Sequence, residues 1–467
     1  MNELLSCSAT QQAALIRQRK ISSRELVQAH LDQIAVVNPA INAAVYVFGE
    51  QAIAEARAAD QAMPRGESLG PLHGVPFSIK DSIELAGSVC TAGTLGRARA
   101  NPSTEDATLV RRLRTAGAIP IAKTNLPDLL FAFESDNVIF GATNNPYDPE
   151  RTSGGSSGGE AALIACCGSP FGLGSDAAGS VRLPAAFCGI AGIKPTSGRL
   201  PRTGHFPPAG GWIEELWQIG PMARRTLDLW TIMQLLVGSD GRDSTVVDIP
   251  FADPSLVNLR ELRVALYTTN GLAPAHAEVS QVIHTAAAAL EREVLRVKED
   301  RPGCLENSYD LEMKLLGADG GDSLWKYLNE LGSTSVHPLL RSWLEKLEKY
   351  RVNLSGLQDY WAEWDRYRAD MFKFLRDYDV ILCPVYTQPA LPHGASSLDE
   401  NFRGFGHTMA YNLTGWPAAV VRCGTSASGL PIGVQIVARP WREDVALAVT
   451  SRLEEIFGGW QPPALIQ

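Results

Sequence analysis

Two Gly/Ser-rich loops contain the serines whose type and spacing are best suited to chemistry. The first loop, GGSSGG, covers residues 154–159, and the second, SDAAGS, covers residues 175–180. Backbone without Cβ atoms can turn sharply and come close to another chain or to a ligand. If the second loop opens a helix, the amides of residues 177–180 converge on one point and can bind an anion or a developing oxyanion. Ser180 is therefore a candidate nucleophile with an oxyanion site beside it.

The first loop taken alone has a simpler interpretation. A run such as GGSSGG is typical of flexible linkers. It is not a phosphate-binding P-loop, because no Gly-Lys-Ser/Thr follows it. A linker, however, is rarely followed at once by an apolar run, here residues 161–167, and then by a second Gly-rich turn. The combination favours one site built from both loops.

A nucleophilic serine needs a base, and histidine is the usual one. None of the eight histidines lies in a motif that marks a base, and no G-x-S-x-G elbow surrounds Ser156 or Ser180. Lys80 is the alternative, at the end of an alternating apolar run within GVPFSIKD, residues 74–81, that predicts a strand with one buried face. Because burial disfavours the charged amine, such a lysine can act as a base near neutral pH.

These motifs together resemble the amidase signature family of serine hydrolases. The resemblance is carried by GGSSGG, then GLGSDAAGSVRLP, then CGIAGIKPTSGR, and it extends from ISSRELVQAHL near the start to GLPIGVQIVA near the end. Members of this family use a Ser-cis-Ser-Lys triad. Carried over by position, the resemblance implies that Ser180 is the nucleophile, that Ser156 bridges after a cis peptide bond, and that Lys80 is the general base.

The resemblance also implies roles for the surrounding residues. The oxyanion donors are expected to be the backbone amides of Ala177, Ala178, Gly179 and Ser180, with Ala178 standing where glycine is more common. The residues expected to support them are Ser157, Asp176 and Arg182. In relatives, the segment that corresponds to residues 131–137 runs beside the acyl pocket, which predicts substrate contacts for Phe133, Glu134, Ser135 and Asp136. A loop packed under the Gly-rich turns is the alternative interpretation of that segment.

The order of the remaining elements predicts an α/β fold. Short apolar runs alternate with helical patterns, which indicates a single large domain, residues 1–467, with a mixed, twisted central sheet flanked by helices on both sides. Ser22-x-x-Glu25 predicts a capping box at the start of a helix that ends before Pro39. Strands are predicted at residues 262–267, 380–385, 418–422 and 432–438.

A helical, charged region from about residue 305 to 377 is rich in Trp and Tyr. An aromatic stripe at helical spacing is typical of a packed helix surface. The functional interpretation is either a cap that lines an apolar substrate funnel or an oligomer contact. The second interpretation would make the protein a homodimer.

Composition excludes several classes of protein. A net charge of −9 without a basic run argues against nucleic acid as a partner. No apolar run reaches the roughly 18 residues of a membrane span, and the N-terminus lacks the apolar region of a signal peptide. The eight cysteines form no C-x-x-C pair, which predicts reduced core residues in a cytoplasmic protein without a metal site or cofactor.

The predicted function is a serine amidohydrolase that cleaves carboxylic amides of small molecules to a carboxylate and an amine or ammonia. Esters and carbamates remain open as substrates. The main alternative is the amidase subunit of a tRNA-dependent amidotransferase, and a catalytically inactive binding protein is a third interpretation. The segment TGHFPP, residues 203–208, is more similar to stand-alone amidases, which include fatty acid amide and nylon-oligomer hydrolases.

Overall fold

One mixed sheet of eleven strands forms the centre of the computed structural model, which describes residues 3–63, 70–208 and 214–466. The strands are β1 Ala44–Val47, β2 Pro76–Lys80, β3 Ile119–Thr124, β4 Phe171–Asp176, β5 Ala191–Lys194, β6 Gln218–Ala223, β7 Arg263–Leu266, β8 Arg296–Glu299, β9 Val380–Pro384, β10 Ala418–Thr425 and β11 Pro431–Ala438. Their order across the sheet is β1-β3-β2-β4-β6-β5-β10-β11-β9-β7-β8. The four strands predicted at 262–267, 380–385, 418–422 and 432–438 are confirmed as β7, β9, β10 and β11.

Helices cover both faces of this sheet. In the described ranges they are α1 Glu3–Ser6, α2 Ala9–Arg17, α3 Ser23–Ile41, α4 Gly49–Ala62, α5 Thr108–Thr115, α6 Gly158–Ala165, α7 Arg182–Phe187, α8 Thr226–Leu236, α9 Ala277–Leu290, α10 Ser308–Leu316, α11 Asp322–Glu330, α12 Pro338–Leu347, α13 Leu354–Phe374, α14 Asp399–Phe402, α15 Gly406–Leu413 and α16 Glu443–Phe457. Helices α2, α5, α8, α9 and α16 form one apolar core with the strands, and α6, α7 and α12 contribute to a second. The predicted α/β fold with a mixed, flanked sheet is confirmed.

The alternation of side chains along β2 directs a lysine away from the larger core. Phe77 and Ile79 belong to the core formed with α2 and α5. Because successive side chains of a strand point to opposite faces, Ser78 and Lys80 point the other way. Strand β2 runs parallel to β4, so both strands end at the same edge of the sheet. The end of β2 at Lys80 therefore lies beside the last residues of β4, and Lys80 Nζ contacts Ser175 there.

The helix that begins at the predicted capping box is longer than its sequence indicates. Ser22 and Glu25 form the reciprocal cap, but α3 continues through Pro39 to Ile41, so the predicted end before Pro39 is wrong. A proline removes one backbone donor from a helix. The buried side chain of Ile41 and the Asn42 amide, which donates to Asn38 O at 2.8 Å, hold the last turn in place.

The Trp/Tyr-rich region folds as the helices α10 to α13 and divides between two environments. Trp364 and Tyr367 pack into a core beside the sheet. Trp343 instead packs against Phe133, with ring centroids 5.7 Å apart. The bounds predicted for a cap, about 305–377, stay a prediction.

Two further features bear on the class of protein. Within the described ranges, every helix is too short or too polar to cross a membrane. All eight cysteines are free, and six of them are buried.

Candidate active site

A cavity of about 490 Å³ lies where β2 and β4 end. Part of its lining carries polar groups and comes from the first Gly/Ser loop, the end of β4 and the turn that follows β4, namely Ser156, Ser175, Asp176, Ala177, Ala178 and Ser180. Most of the remaining lining is apolar and includes Leu130, Phe131, Phe133, Leu316, Leu324, Tyr327, Trp343 and Leu347. A cavity with a few convergent polar groups and apolar walls is typical of a site for a small organic molecule.

The amine of Lys80 contacts Ser156, a loop serine that lines this cavity. Its side chain is fully buried, and its Nζ lies 2.7 Å from Ser156 Oγ. Burial lowers the pKa of Lys80 well below its usual value, although the charges of Asp176 and Glu160 act in the opposite direction. The neutral amine is thereby favoured, and a neutral amine can accept a proton from Ser156. The Gly155–Ser156 peptide bond is cis, as the resemblance implies.

The first Gly/Ser loop needs its glycines because protein backbone surrounds it closely. A Cβ atom at Gly155 would lie 2.5 Å from Glu134 N. Ser135 fastens the loop, since its Oγ donates to Gly154 O at 3.0 Å and accepts from Gly158 N at 2.8 Å. The GGSSGG run is therefore a tightly held turn ahead of α6, and the linker interpretation does not apply.

Ser180 lies in the second loop and lines the same cavity as Ser156. The two loops are joined directly, because Ser157 N donates to Ser180 O at 3.1 Å. Among the described residues, the hydroxyl of Ser180 makes no hydrogen bond to Ser156 in this structure. Hydrogen bonds between catalytic groups are often long without substrate and shorten when substrate binds. The structure thus brings Ser156 and Ser180 to one cavity, with Lys80 buried behind Ser156 and in contact with it.

Three of the four predicted oxyanion residues line the cavity, and the fourth faces the protein. Ala177, Ala178 and Ser180 belong to the cavity wall. The amide of Gly179 instead donates to Asp176 Oδ1 at 2.8 Å. An oxyanion in the cavity is therefore expected to meet the amides of Ala177, Ala178 and Ser180.

The small residues at positions 178 and 179 have different requirements. Gly179 has φ +122°, and a Cβ atom there would lie 2.4 Å from Thr408 Oγ1. Ala178 is not among the non-glycine residues with positive φ. Its methyl group is therefore tolerated where the family more often has glycine, because its backbone is in a region open to any L-residue.

A buried ion pair fixes the second loop. Asp176 Oδ1 lies 2.8 Å from Arg182 Nη2, and both side chains are fully buried. Asp176 Oδ2 also accepts from the amide of Val181 at 3.1 Å, and Arg182 donates to Asn412 Oδ1 and Gln435 Oε1. Burial alone would raise the pKa of Asp176, but the Arg182 charge and hydrogen bonds hold that pKa below its usual value. The ionised pair therefore locks the end of β4 to the start of α7.

The structure places the four residues predicted to contact substrate in different surroundings. They are Phe133, Glu134, Ser135 and Asp136. Phe133 lines the cavity. Glu134 accepts hydrogen bonds from the amides of Gly394 and Ser396, each at 2.8 Å, and Asp136 lies 3.4 Å from His337 Nε2. Ser135 binds the first Gly/Ser loop, as described above. The polar atoms of Glu134, Ser135 and Asp136 thus contact neighbouring protein segments, and of the four predicted residues only Phe133 lines the cavity.

Two residues that the sequence did not mark as functional adjoin Lys80. Ser175 Oγ lies 3.1 Å from Lys80 Nζ, and His205 Nε2 lies 3.0 Å from Ser175 Oγ. His205 also lines the cavity. No motif marks this histidine in the sequence, because its link to Lys80 runs through a serine on another segment. The signals that could have found the pair were the TGHFPP segment and the serine that precedes Asp176.

Loss of the buried ion pair is expected to destabilise the protein far more than loss of an exposed one. Arg182→Met would leave Asp176 charged, buried and unpaired, which typically costs about 3–5 kcal/mol. The matched control is Arg242→Met, because Arg242 pairs with Glu105 at 2.7 Å but both side chains are about half exposed. Exposed pairs contribute about 1 kcal/mol or less. Urea unfolding measures both changes, and equal losses would contradict the role given to Arg182.

Comparison with known proteins agrees with this geometry. The sequence model of the family described as Amidase matches residues 25–447. Fatty-acid amide hydrolase 2 of Homo sapiens is 34% identical over 98% of this chain and 91% of its own length. One subunit of the glutamyl-tRNA(Gln) amidotransferase of Chloroflexus aurantiacus is 32% identical over 96% of each chain.

A solved structure is similar over the whole fold. The structure of 6-aminohexanoate cyclic dimer hydrolase complexed with substrate superposes with a TM-score of 0.88 and 27% identity, covering 100% of both chains. The family match spans most of the sequence, and the structural match includes all of the sheet. The chain therefore belongs to the amidase family, and its cavity is the candidate active site of an amidase.

Proposed function

We propose that this amidase hydrolyses carboxylic amides of small molecules through an acyl-enzyme on Ser180. The observation that carries the proposal is the 2.7 Å contact of Lys80 Nζ with Ser156 Oγ, because Ser156 lines the same cavity as Ser180. A fully buried lysine with a lowered pKa supplies the base that this chemistry needs.

Acylation begins with a proton relay. Neutral Lys80 accepts the proton of Ser156, and Ser156 takes the proton of Ser180 as Ser180 Oγ attacks the carbonyl carbon. The carbonyl oxygen becomes an oxyanion and accepts hydrogen bonds from the amides of Ala177, Ala178 and Ser180. Removing one such donor typically raises the barrier by about 3–4 kcal/mol.

The same relay then runs in reverse. The C–N bond breaks as Lys80, now an ammonium, returns its proton through Ser156 to the leaving nitrogen. The amine or ammonia departs, and the acyl group remains as an ester on Ser180. Water attacks that ester and gives its proton to the relay, which releases the carboxylate and restores Ser180. Esters and carbamates can enter by the same addition step.

The shape of the cavity supports a substrate with an apolar arm. The aromatic side chains of four residues line the cavity: Phe131, Phe133, Tyr327 and Trp343. Burying an aromatic or aliphatic arm there gains about 25 cal/mol for each Å² of apolar surface removed from water. Similarity to a fatty-acid amide hydrolase supports the same class of substrate.

A role within an amidotransferase complex is the second candidate, favoured by the 32% identity to one chain of such a complex. A chain of that kind works with partner chains, whereas a hydrolase acts alone. Purification of the chain with an affinity tag from its own host separates the two. Amide hydrolysis by the isolated chain supports the proposed stand-alone amidase. A stoichiometric partner chain that is required for activity supports a role in an amidotransferase.

Replacement of the nucleophile is expected to abolish turnover. Ser180→Ala should lower kcat on an acyl 4-nitroanilide by about 10⁴-fold or more, because the covalent intermediate can no longer form. A fluorophosphonate probe should label Ser180 in the unmodified protein, as mapped by mass spectrometry. Ser197→Ala, a serine outside the cavity, serves as the control and should retain the rate. Retained turnover by Ser180→Ala would remove Ser180 as the nucleophile.

The pH–rate profile is expected to show the titration of the buried Lys80 amine. Because only neutral Lys80 accepts a proton, kcat/KM should fall as the pH drops below the lowered pKa of Lys80. Lys80→Met should cut kcat by about 10²–10⁴-fold and remove this acidic limb from the residual activity. Burial also raises the pKa of the nearby Glu160 to about 7, although hydrogen bonds from Ser78 and Thr124 oppose it.

Glu160→Gln is therefore the control for the pH profile. If Lys80 is the base, the acidic limb persists in Glu160→Gln and is absent in Lys80→Met. The reverse result would assign the limb to Glu160 and exclude Lys80 as the titrating base.

A further inference from the structure

A chain of hydrogen-bonding groups extends behind the catalytic lysine, away from Ser156. Lys80 Nζ lies 3.1 Å from Ser175 Oγ and 3.5 Å from Ser175 O. Ser175 Oγ in turn lies 3.0 Å from His205 Nε2. On its far side, His205 Nδ1 lies 3.1 Å from Pro207 O. The proposed hydrolysis uses Lys80 and Ser156 but gives no role to Ser175 or His205.

The contact between His205 and Pro207, the last in this series of hydrogen bonds, determines which nitrogen of His205 carries the proton. Pro207 O is a carbonyl oxygen and can only accept, so Nδ1 donates to it. The neutral ring then has one lone pair on Nε2, and two hydroxyls lie within hydrogen-bond distance of it, Ser175 Oγ at 3.0 Å and Ser82 Oγ at 3.1 Å. Burial lowers the pKa of His205 to about 3. The imidazole is thus a neutral acceptor at the pH of ordinary enzyme assays.

This acceptor determines the direction of the next hydrogen bond. A serine hydroxyl has one proton, and Ser175, the nearer of the two serines, can give its proton to His205 Nε2. Its Oγ therefore offers a lone pair to Lys80, as does the Ser175 carbonyl oxygen. A neutral amine has two N–H groups and one lone pair, and both N–H groups have acceptors on Ser175. The Lys80 lone pair is left for the Ser156 hydroxyl at 2.7 Å.

We propose that His205 is a positioning residue for amide hydrolysis: by accepting the Ser175 proton it aims the Lys80 lone pair at Ser156. The inference rests on the proposed function and adds a residue to it. Without the imidazole acceptor, the Ser175 hydroxyl is free to rotate and donate to the Lys80 lone pair. The base would then be occupied by Ser175 and withdrawn from Ser156.

Two other roles for His205 make different predictions. The residue lines the cavity, so a contact with substrate would appear mainly in KM. Its ring also packs on Trp217, with centroids 4.5 Å apart, so a purely structural role would lower stability and affect all activities alike. A positioning role acts through Ser175 and should disappear when the Ser175 hydroxyl is absent.

The test is a double-mutant cycle between positions 205 and 175, with steady-state kinetics on one acyl 4-nitroanilide. His205→Leu removes the acceptor and is expected to lower kcat about tenfold or more, the value of one strong hydrogen bond, with KM within about threefold. His205→Gln keeps an acceptor oxygen toward Ser175 and a donor toward Pro207, and should restore kcat to within about threefold of wild type.

The decisive comparison uses the Ser175→Ala background. There, His205→Leu should change kcat by less than about threefold, because coupled residues are not additive. Ser82→Ala is the matched control: it removes the other hydroxyl that reaches Nε2 and should leave kcat within about threefold. Thermal unfolding of every variant identifies any that fails to fold, and His205→Gln then carries the comparison with wild type.

Several outcomes would overturn the inference. Equal losses from His205→Leu with and without the Ser175 hydroxyl would do so, as would an effect confined to KM or a Gln variant no better than Leu. The proposed function is judged separately by Ser180→Ala. If Ser180→Ala is inactive while the cycle is additive, only the role of His205 is wrong. If Ser180→Ala retains turnover, both proposals are wrong.

Discussion

The burial of one amine is the constraint on which the rest of this protein depends. Lys80 is fully enclosed, and the cost of removing a charged ammonium from water favours its neutral form. Two carboxylates, Asp176 and Glu160, act against this preference. The site therefore works only if those charges are neutralised or directed elsewhere, and the surrounding structure does this for each of them.

Each carboxylate has its own neutralising environment. Arg182 pairs with Asp176 inside the protein, so most of that negative charge is balanced by a guanidinium. Glu160 receives hydrogen bonds from Ser78 and Thr124, and burial favours its protonated form. Neither carboxylate makes a direct hydrogen bond to Lys80, whose near contacts are hydroxyl and carbonyl oxygens of Ser156 and Ser175. Such neutral partners leave a proton acceptor available.

The two Gly/Ser loops and the cavity follow from the same arrangement. Close backbone contacts hold the loop of Ser156, and the Asp176–Arg182 pair holds the loop of Ser180. The helices α10 to α12 supply much of the apolar wall, including Leu316, Tyr327 and Trp343. Excluding water from this space would strengthen the electrostatic interactions on which the proposed relay and oxyanion amides depend.

The sequence by itself predicted the fold class, the family and the three residues proposed as the triad, because alternation along strands and the Gly/Ser motifs that carry the family resemblance are local patterns. Alternation predicted β2 and the later strands, Gly/Ser spacing marked the loops, and a lysine at the end of an apolar run indicated a buried base. Only the tertiary structure decided that Phe133 lines the cavity while Glu134, Ser135 and Asp136 do not. It also revealed His205 behind Ser175. Those placements depend on which distant segments meet at one edge of the sheet, and such long-range contacts leave no periodic signal in the chain.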